Sequence, residues 1–148
     1  MARTACLVAV HLFLLKDNQI LLQRRAGTGY EDGNYSVIAG HIDGGEDVFS
    51  AMRREAKEEG GIDIALDNLQ VVQVMHRKKE DERIDYFFVC KQWDGEVRIM
   101  EPNKCDEIRW ADIDALPQNT VDYIVEAIKN YREGIMFSIY GWGNIGGR

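Results

Sequence analysis

Three glutamates in one short charged stretch, Glu55, Glu58 and Glu59, stand at i, i+3 and i+4. On a helix, at about 100° per residue, they share an arc of roughly 100°. Three carboxylates so placed repel one another unless a cation lies between them. A cluster of hard oxygen donors suits Mg²⁺, Mn²⁺ or Ca²⁺ rather than zinc. Taken alone, such a trio is more often a solvated acidic helix face. Two details argue against that here. The acids occupy the last turns of the predicted helix, where the macrodipole disfavours negative charge. They also adjoin an apolar stripe of Val48, Phe49, Met52 and Ala56.

The surrounding segment, Gly40 to Ile62 (GHIDGGEDVFSAMRREAKEEGGI), places further fixed residues around the trio: Gly40, Glu46, Arg54 and Gly61, with Ala56 and Ile62 at apolar positions. It resembles the Nudix box, in which a glycine, five residues, Glu and seven residues precede Arg-Glu-apolar-any-Glu-Glu-any-Gly-apolar. Seven fixed residues at typical frequencies of about 5–7% each would coincide on the order of once in 10⁸ starting positions. Ala56 is a small choice at its apolar position.

The resemblance implies a loop–helix–loop in which Glu55, Glu58 and Glu59 hold Mg²⁺, with Mn²⁺ as a substitute, against the phosphates of a substrate. Arg54 and Glu46 would pair as a clasp holding the loop on the helix, and Gly40, Gly44 and Gly45 would let the loop turn. The backbone carbonyl of Ala39 would add a metal ligand. Glu101, in GEVRIME, falls where MutT-like members place a further one, although an ordinary loop glutamate is an equal reading; Glu107 is a weaker competitor. The implied reaction is in-line attack of water on a diphosphate linkage, with Glu55 the first choice of base and Glu101 the second. The histidines His11, His41 and His76 are scattered and read as structural.

Two marks point to a nucleoside triphosphate. Arg25 falls where MutT-like enzymes place a phosphate-binding arginine; strand alternation lets only one of Arg24 and Arg25 face the site. Asn119 falls in the segment from which such enzymes reach the base, but it reads equally as a helix N-cap beside Thr120. Tyr30 and Tyr35 could stack on a base, and Trp110 reads as core. ADP-ribose hydrolases tend to carry a proline about sixteen residues after the box, and no proline lies between Ile62 and Glu101. The expected activity is therefore MutT-like, yielding a nucleoside monophosphate and pyrophosphate. The alternatives are a nucleotide sugar, ADP-ribose or a dinucleoside polyphosphate as substrate, or a non-catalytic nucleotide-binding domain.

The elements that must position these residues can be traced along the chain. A strand hairpin over residues 4–25 leads into a turn-rich loop, 26–34, and a short strand, Tyr35 to Ile38. A loop over 40–46 precedes the helix, which should start near Asp47 and stop at Gly60-Gly61. Strands follow at Leu69 to Met75 and Ile84 to Cys90, with the charged run Arg77 to Arg83 as a solvated hairpin tip. Asp94-Gly95 is a turn; Val97 to Met100 and Ile108 to Trp110 are further strands. A helix spans about Thr120 to Arg132. The fold class is mixed α/β (α+β), a mixed sheet sandwiched between helices.

A chain of 148 residues with a net charge of −7 fits one domain over 1–148. That charge gives no positive field for duplex DNA or RNA. The partner is expected to be a small nucleotide, met by local cations. Cys6, Cys90 and Cys105 form no CxxC and read as reduced thiols in a cytoplasmic protein. The apolar run Ala5 to Leu15 is too short to span a membrane and is followed by a turn and a second apolar run rather than a cleavage site. The apolar stretch 134–142 should pack on the domain or on a second copy in a homodimer. Residues 143–148 are expected to be mobile.

Overall fold

The computed structural model describes residues 2–143; of the expected mobile tail over 143–148, residues 144–148 lie outside the described residues. The elements are β1 (Leu7–Lys16), β2 (Gln19–Arg25), β3 (Tyr35–Ser36), β4 (Ile38–His41), α1 (Val48–Gly60), β5 (Gln70–Lys78), β6 (Glu82–Cys90), β7 (Cys105–Asp112), α2 (Asp122–Arg132) and β8 (Phe137–Tyr140), with a 3₁₀ turn at Leu66–Asn68. The strands form an eight-stranded sheet in the order β3-β2-β1-β6-β5-β8, with β4 pairing β1 and β7 pairing β2. β1 runs parallel to β6, and β5 parallel to β8; the other pairs are antiparallel.

Strand alternation splits the apolar residues between two cores. Val10, Leu12, Leu14, Leu21 and Phe88 face α1, whose Ala51, Met52 and Ala56 complete that side. Phe13, Leu15, Ile20, Leu22 and Phe87 face α2 through Ile124, Ala127 and Ile128. A mixed sheet with a helix packed on each face is the expected architecture. Among the described residues, no helix is long and apolar enough to cross a membrane.

α1 carries the three glutamates, and its ends follow from its sequence. Asp47 caps it by accepting from the Ser50 amide at 2.9 Å. Gly61 closes it in the left-handed conformation, φ 69°, with its N–H returned to the carbonyls of Ala56 and Lys57.

Several expectations are corrected. Val97 to Met100 is not a strand; Arg98 N–H donates to the Gly60 carbonyl at 3.1 Å, so the segment closes the end of α1 instead of joining a ladder. Tyr35 to Ile38 divides between β3, which pairs β2, and β4, which pairs β1. The run Arg77 to Arg83 is exposed only at 78–81, because β5 extends into it as far as Lys78 and β6 begins at Glu82. Arg77 is only 6% exposed. It is held by fully buried Asp85 (Nε–Oδ2 2.7 Å), which also meets buried His11 (Nε2–Oδ1 2.9 Å). The apolar stretch after α2 contains β8, the sheet's outer strand beside β5.

Candidate active site

The Gly40 backbone runs across α1 directly over the Glu55 carboxylate. A Cβ on Gly40 would lie 2.2 Å from both Cδ and Oε1 of Glu55. That approach exists only because residue 40 has no side chain. Gly40→Ala is therefore expected to displace the carboxylate or the β4 backbone. It should lower the unfolding free energy by roughly 1–3 kcal/mol and reduce turnover at least about tenfold, read by denaturant unfolding and steady-state kinetics. A variant with native stability and native turnover would remove Glu55 from this position.

Arg54 ties the loop before α1 to the acids on it. Its Nε and Nη2 donate to the two carboxylate oxygens of Glu46 at 2.8 and 2.9 Å, a bidentate pair. Nη2 also donates to the His41 carbonyl at 3.1 Å. Nη1 lies between Glu55 (2.8 Å) and Glu58 (3.2 Å). The Arg54 hydrogen bonds, helped by the Asp43 amide, hold the Glu46 carboxyl down at about 2.

The three glutamates have different surroundings. Glu58 is exposed and Glu55 is buried. Glu59 accepts from the Ala39 N–H at 3.1 Å. Burial pushes its carboxyl up to about 7; the Ala39 bond opposes this, while Glu55 and Glu101 add to it. Burial also raises the Glu55 carboxyl, Arg54 opposes, and Glu58 and Glu101 raise it further. Carboxyls raised by burial and by one another are groups whose ionised form an added cation would favour. Hard oxygen donors of this kind fit Mg²⁺ or Mn²⁺.

Beside them opens a cavity of about 450 Å³. The structure brings Arg25, Ala39, Glu59 and Glu101 to its wall. Glu55 lies behind Gly40, while Arg54 and Glu58 lie on the outer side of α1, and none of the three is on that wall. Arg24 lines the cavity together with Arg25, contrary to the alternation argument, because the β2–β7 register shifts between these two residues. Arg24 meets Asp106 at 2.7 Å. Arg25 donates to the Tyr30 carbonyl and to Thr28 Oγ1.

Lys104 and Asn103 also line the cavity and were not singled out from the sequence. Lys104 Nζ lies 3.6 Å from Glu101. The Ala26 N–H donates to the Lys104 carbonyl at 2.9 Å, so the loops 26–34 and 101–104 close the cavity together. The only local hint was a cation three residues after Glu101.

Asn119 is not on the cavity wall. Its Nδ2 donates to the Gly33 carbonyl at 2.8 Å. It does not cap α2, whose N-cap residue is Val121. Glu107 accepts from the Tyr35 hydroxyl, and Trp110 stacks on Trp93 in the core on the α1 side.

The NUDIX domain family matches residues 7–130. The chain is 30% identical over 125 residues to an ADP-ribose pyrophosphatase of Methanocaldococcus jannaschii, covering 84% of this chain and 72% of that protein. It is 27% identical over 120 residues to an NAD-capped RNA hydrolase of Stutzerimonas stutzeri, covering 78% of this chain but only 41% of the relative's length. Among solved structures, a MutT NUDIX hydrolase from Burkholderia pseudomallei superposes with a TM-score of 0.79 at 24% identity, over 85% of this chain and 98% of that one. With its box intact and the family match spanning both sides of the sheet, the chain belongs to the Nudix hydrolase family.

Proposed function

We propose that the protein is a divalent-metal-dependent hydrolase of nucleoside triphosphates, releasing a nucleoside monophosphate and pyrophosphate. The observation that carries this reading is the pairing of two charge types on one cavity. Glu59 and Glu101 share its wall with Arg24, Arg25 and Lys104, and Lys104 Nζ lies 3.6 Å from Glu101. A polyphosphate needs both sets: cations to meet its oxygens, and acids to hold the metal that meets the rest of its charge.

Glu59 and Glu101, with the Ala39 carbonyl, would hold Mg²⁺, or Mn²⁺ in its place, from the cavity wall; Glu55 and Glu58 lie off that wall and would complete the site by turning toward the ion. Bound there, the metal supplies charge neutralisation at the diphosphate and acidifies water. Arg25 and Lys104 orient the phosphate chain for in-line attack. Water oxygen bonds to one phosphorus of the α–β anhydride, the bridging P–O bond breaks with its electrons leaving on the departing phosphate, and the water proton goes to Glu55, which would have to reach past Gly40 to the cavity, or to Glu101, which stands on its wall. Arg54 keeps Glu55 and Glu58 in place rather than touching substrate. For Asn119 to reach a base, its amide would exchange the Gly33 carbonyl for the base edge.

A second reading follows from the 30% identical relative named an ADP-ribose pyrophosphatase: the same acids could act on a diphosphate bridging two nucleoside or sugar groups. A hydrolysis panel separates the two. Normal and oxidised nucleoside triphosphates, ADP-ribose, nucleotide sugars and dinucleoside polyphosphates are incubated with Mg²⁺ or with EDTA, and products are resolved by ion exchange. Monophosphate and pyrophosphate from one triphosphate, abolished by EDTA, is the expected result. Turnover of ADP-ribose alone would replace the substrate assignment and keep the reaction class.

The three cysteines are unpaired, which supports a reducing compartment such as the cytoplasm. Ile135 and Met136, just before β8, and Phe137, its first residue, are exposed, which supports burial of that edge in a homodimer.

A further inference from the structure

Three neighbouring strands bring a thiol, an imidazole and a carboxylate together at one end of the sheet. β6 lies between β1 and β5. The parallel register sets Leu7 against Arg83, so Cys6, just before β1, arrives beside Glu82. The antiparallel register sets His76 against Ile84, so His76 and Glu82 are diagonal neighbours on the same face. Glu82 is thus the middle member. Its Oε2 lies 2.8 Å from His76 Nε2 and 3.4 Å from Cys6 Sγ. All three ligand atoms lie within 4.8 Å of one another, the only such trio of His, Cys, Asp or Glu among the described residues.

We propose that Cys6, His76 and Glu82 form a binding site for zinc, separate from the acids on α1. A tetrahedral zinc held at ordinary Zn–S, Zn–N and Zn–O lengths has ligand-to-ligand edges of about 3.4–3.6 Å. The S···O separation already matches, and the N···O separation has to open by about 0.6 Å. A thiolate and a carboxylate balance the two positive charges while the imidazole stays neutral. A thiolate–imidazole pair favours zinc over magnesium. The chemistry therefore sorts the two sites: hard oxygens on α1, mixed sulfur and nitrogen here.

The surroundings favour a fixed site over three freely moving side chains. All three residues are partly buried. The Trp142 ring lies 4.7 Å from the His76 ring, and its Nε1 donates to the His76 carbonyl at 2.9 Å. That contact limits how the imidazole can turn, as outer partners do at metal sites. The other two thiols do not compete, since Cys90 and Cys105 are buried and donate to nearby backbone carbonyls. Three protein ligands leave a fourth position for water, and the bound ion would clip the segment before β1 to the β5–β6 hairpin.

The test uses the full chain, stripped of metal with a chelator and kept reduced, titrated with Co²⁺ as a spectroscopic stand-in for zinc. The expected result is about one equivalent bound with a thiolate-to-cobalt charge-transfer band and tetrahedral visible bands, displaced by Zn²⁺ and unaffected by excess Mg²⁺. Cys6→Ser should lose the charge-transfer band while its circular dichroism stays native, because residue 6 lies outside the strands. His76→Ala and Glu82→Gln should weaken binding on the order of tenfold or more, and Cys90→Ser should keep the band. A wild-type chain that shows no such band, or a band that survives Cys6→Ser, overturns the site and leaves the trio as a hydrogen-bonded staple. Hydrolytic activity is not the readout, so the result stands apart from the proposed reaction.

Discussion

Glu55→Gln is expected to lower kcat on the order of 10²–10⁴-fold, the usual worth of a positioned general base, with the fold intact. The amide is nearly isosteric and fits the space beneath Gly40 that excludes any Cβ. Its oxygen can still accept from Arg54 Nη1, which now donates to Glu55 at 2.8 Å. What it cannot do is take a proton from water or bear the charge that a divalent cation requires. Removing a buried charge among other acids should leave the melting temperature unchanged or raise it, because burial already pushes this carboxyl up. The combination is diagnostic: native or higher stability with lost turnover places Glu55 in the chemistry, whereas turnover within about tenfold of wild type would transfer the base to another carboxylate. Glu101→Gln in parallel tests the second choice. It stands on the cavity wall, so its loss should raise KM or reduce metal affinity even where kcat holds.

The parts of this site that were legible in the sequence are those that one helix fixes by itself. Spacing of i, i+3 and i+4 places Glu55, Glu58 and Glu59, and Asp47 and Gly61 mark the helix ends because capping is a local matter. The other wall of the cavity depends on contacts across the chain. Lys104 reaches it because the loop 101–104 meets the loop 26–34, and Arg24 joins Arg25 because a register shift against β7 breaks the alternation. No pattern within β2 announces that shift. β8 was hidden for a similar reason: it is four residues long, its pairing with β5 is parallel, and its position depends on how α2 returns the chain.

Arg77 was misread as part of a solvated run, although its partners carried a hint. Asp85 alternates with Ile84 and Tyr86, and so shares a strand face with Phe87 and Val89, both in the α2-side core. His11 interrupts an apolar run in the same way. An acid and a histidine each placed where a core residue belongs imply a buried polar network, and a buried acid calls for a cation. Arg77 is that cation. Its guanidinium lies 3.7 Å from the Tyr123 ring centroid, a cation–π contact that ties α2 to the sheet.

This network carries the largest expected stability effect. Asp85→Asn leaves the Arg77 guanidinium buried with no counter-charge, which should cost about 3–5 kcal/mol. The melting temperature should fall on the order of 10 °C for a chain of this length. Simultaneous replacement of His11, Arg77 and Asp85 by apolar residues of similar volume should recover most of that loss, because the cost lies in the unpaired charge rather than in the absence of an ion pair. Acid should reveal the same coupling. Burial alone would push the Asp85 carboxyl up, but His11 and Arg77 overcome it and hold the group at about 2, below the ordinary 3.8. A lowered folded-state value stabilises above the unfolded one, so the contribution is complete above about pH 4 and is lost as pH falls through 2. A shift of this size corresponds to roughly 2–3 kcal/mol. The difference in unfolding free energy between wild type and Asp85→Asn should therefore shrink by about 2 kcal/mol, most of that amount, between pH 4 and pH 2, followed by urea unfolding at each pH. A difference that stays constant across the interval would show that Asp85 is no more strongly held as an anion in the folded chain than in the unfolded one, and that the Arg77 charge finds its compensation elsewhere.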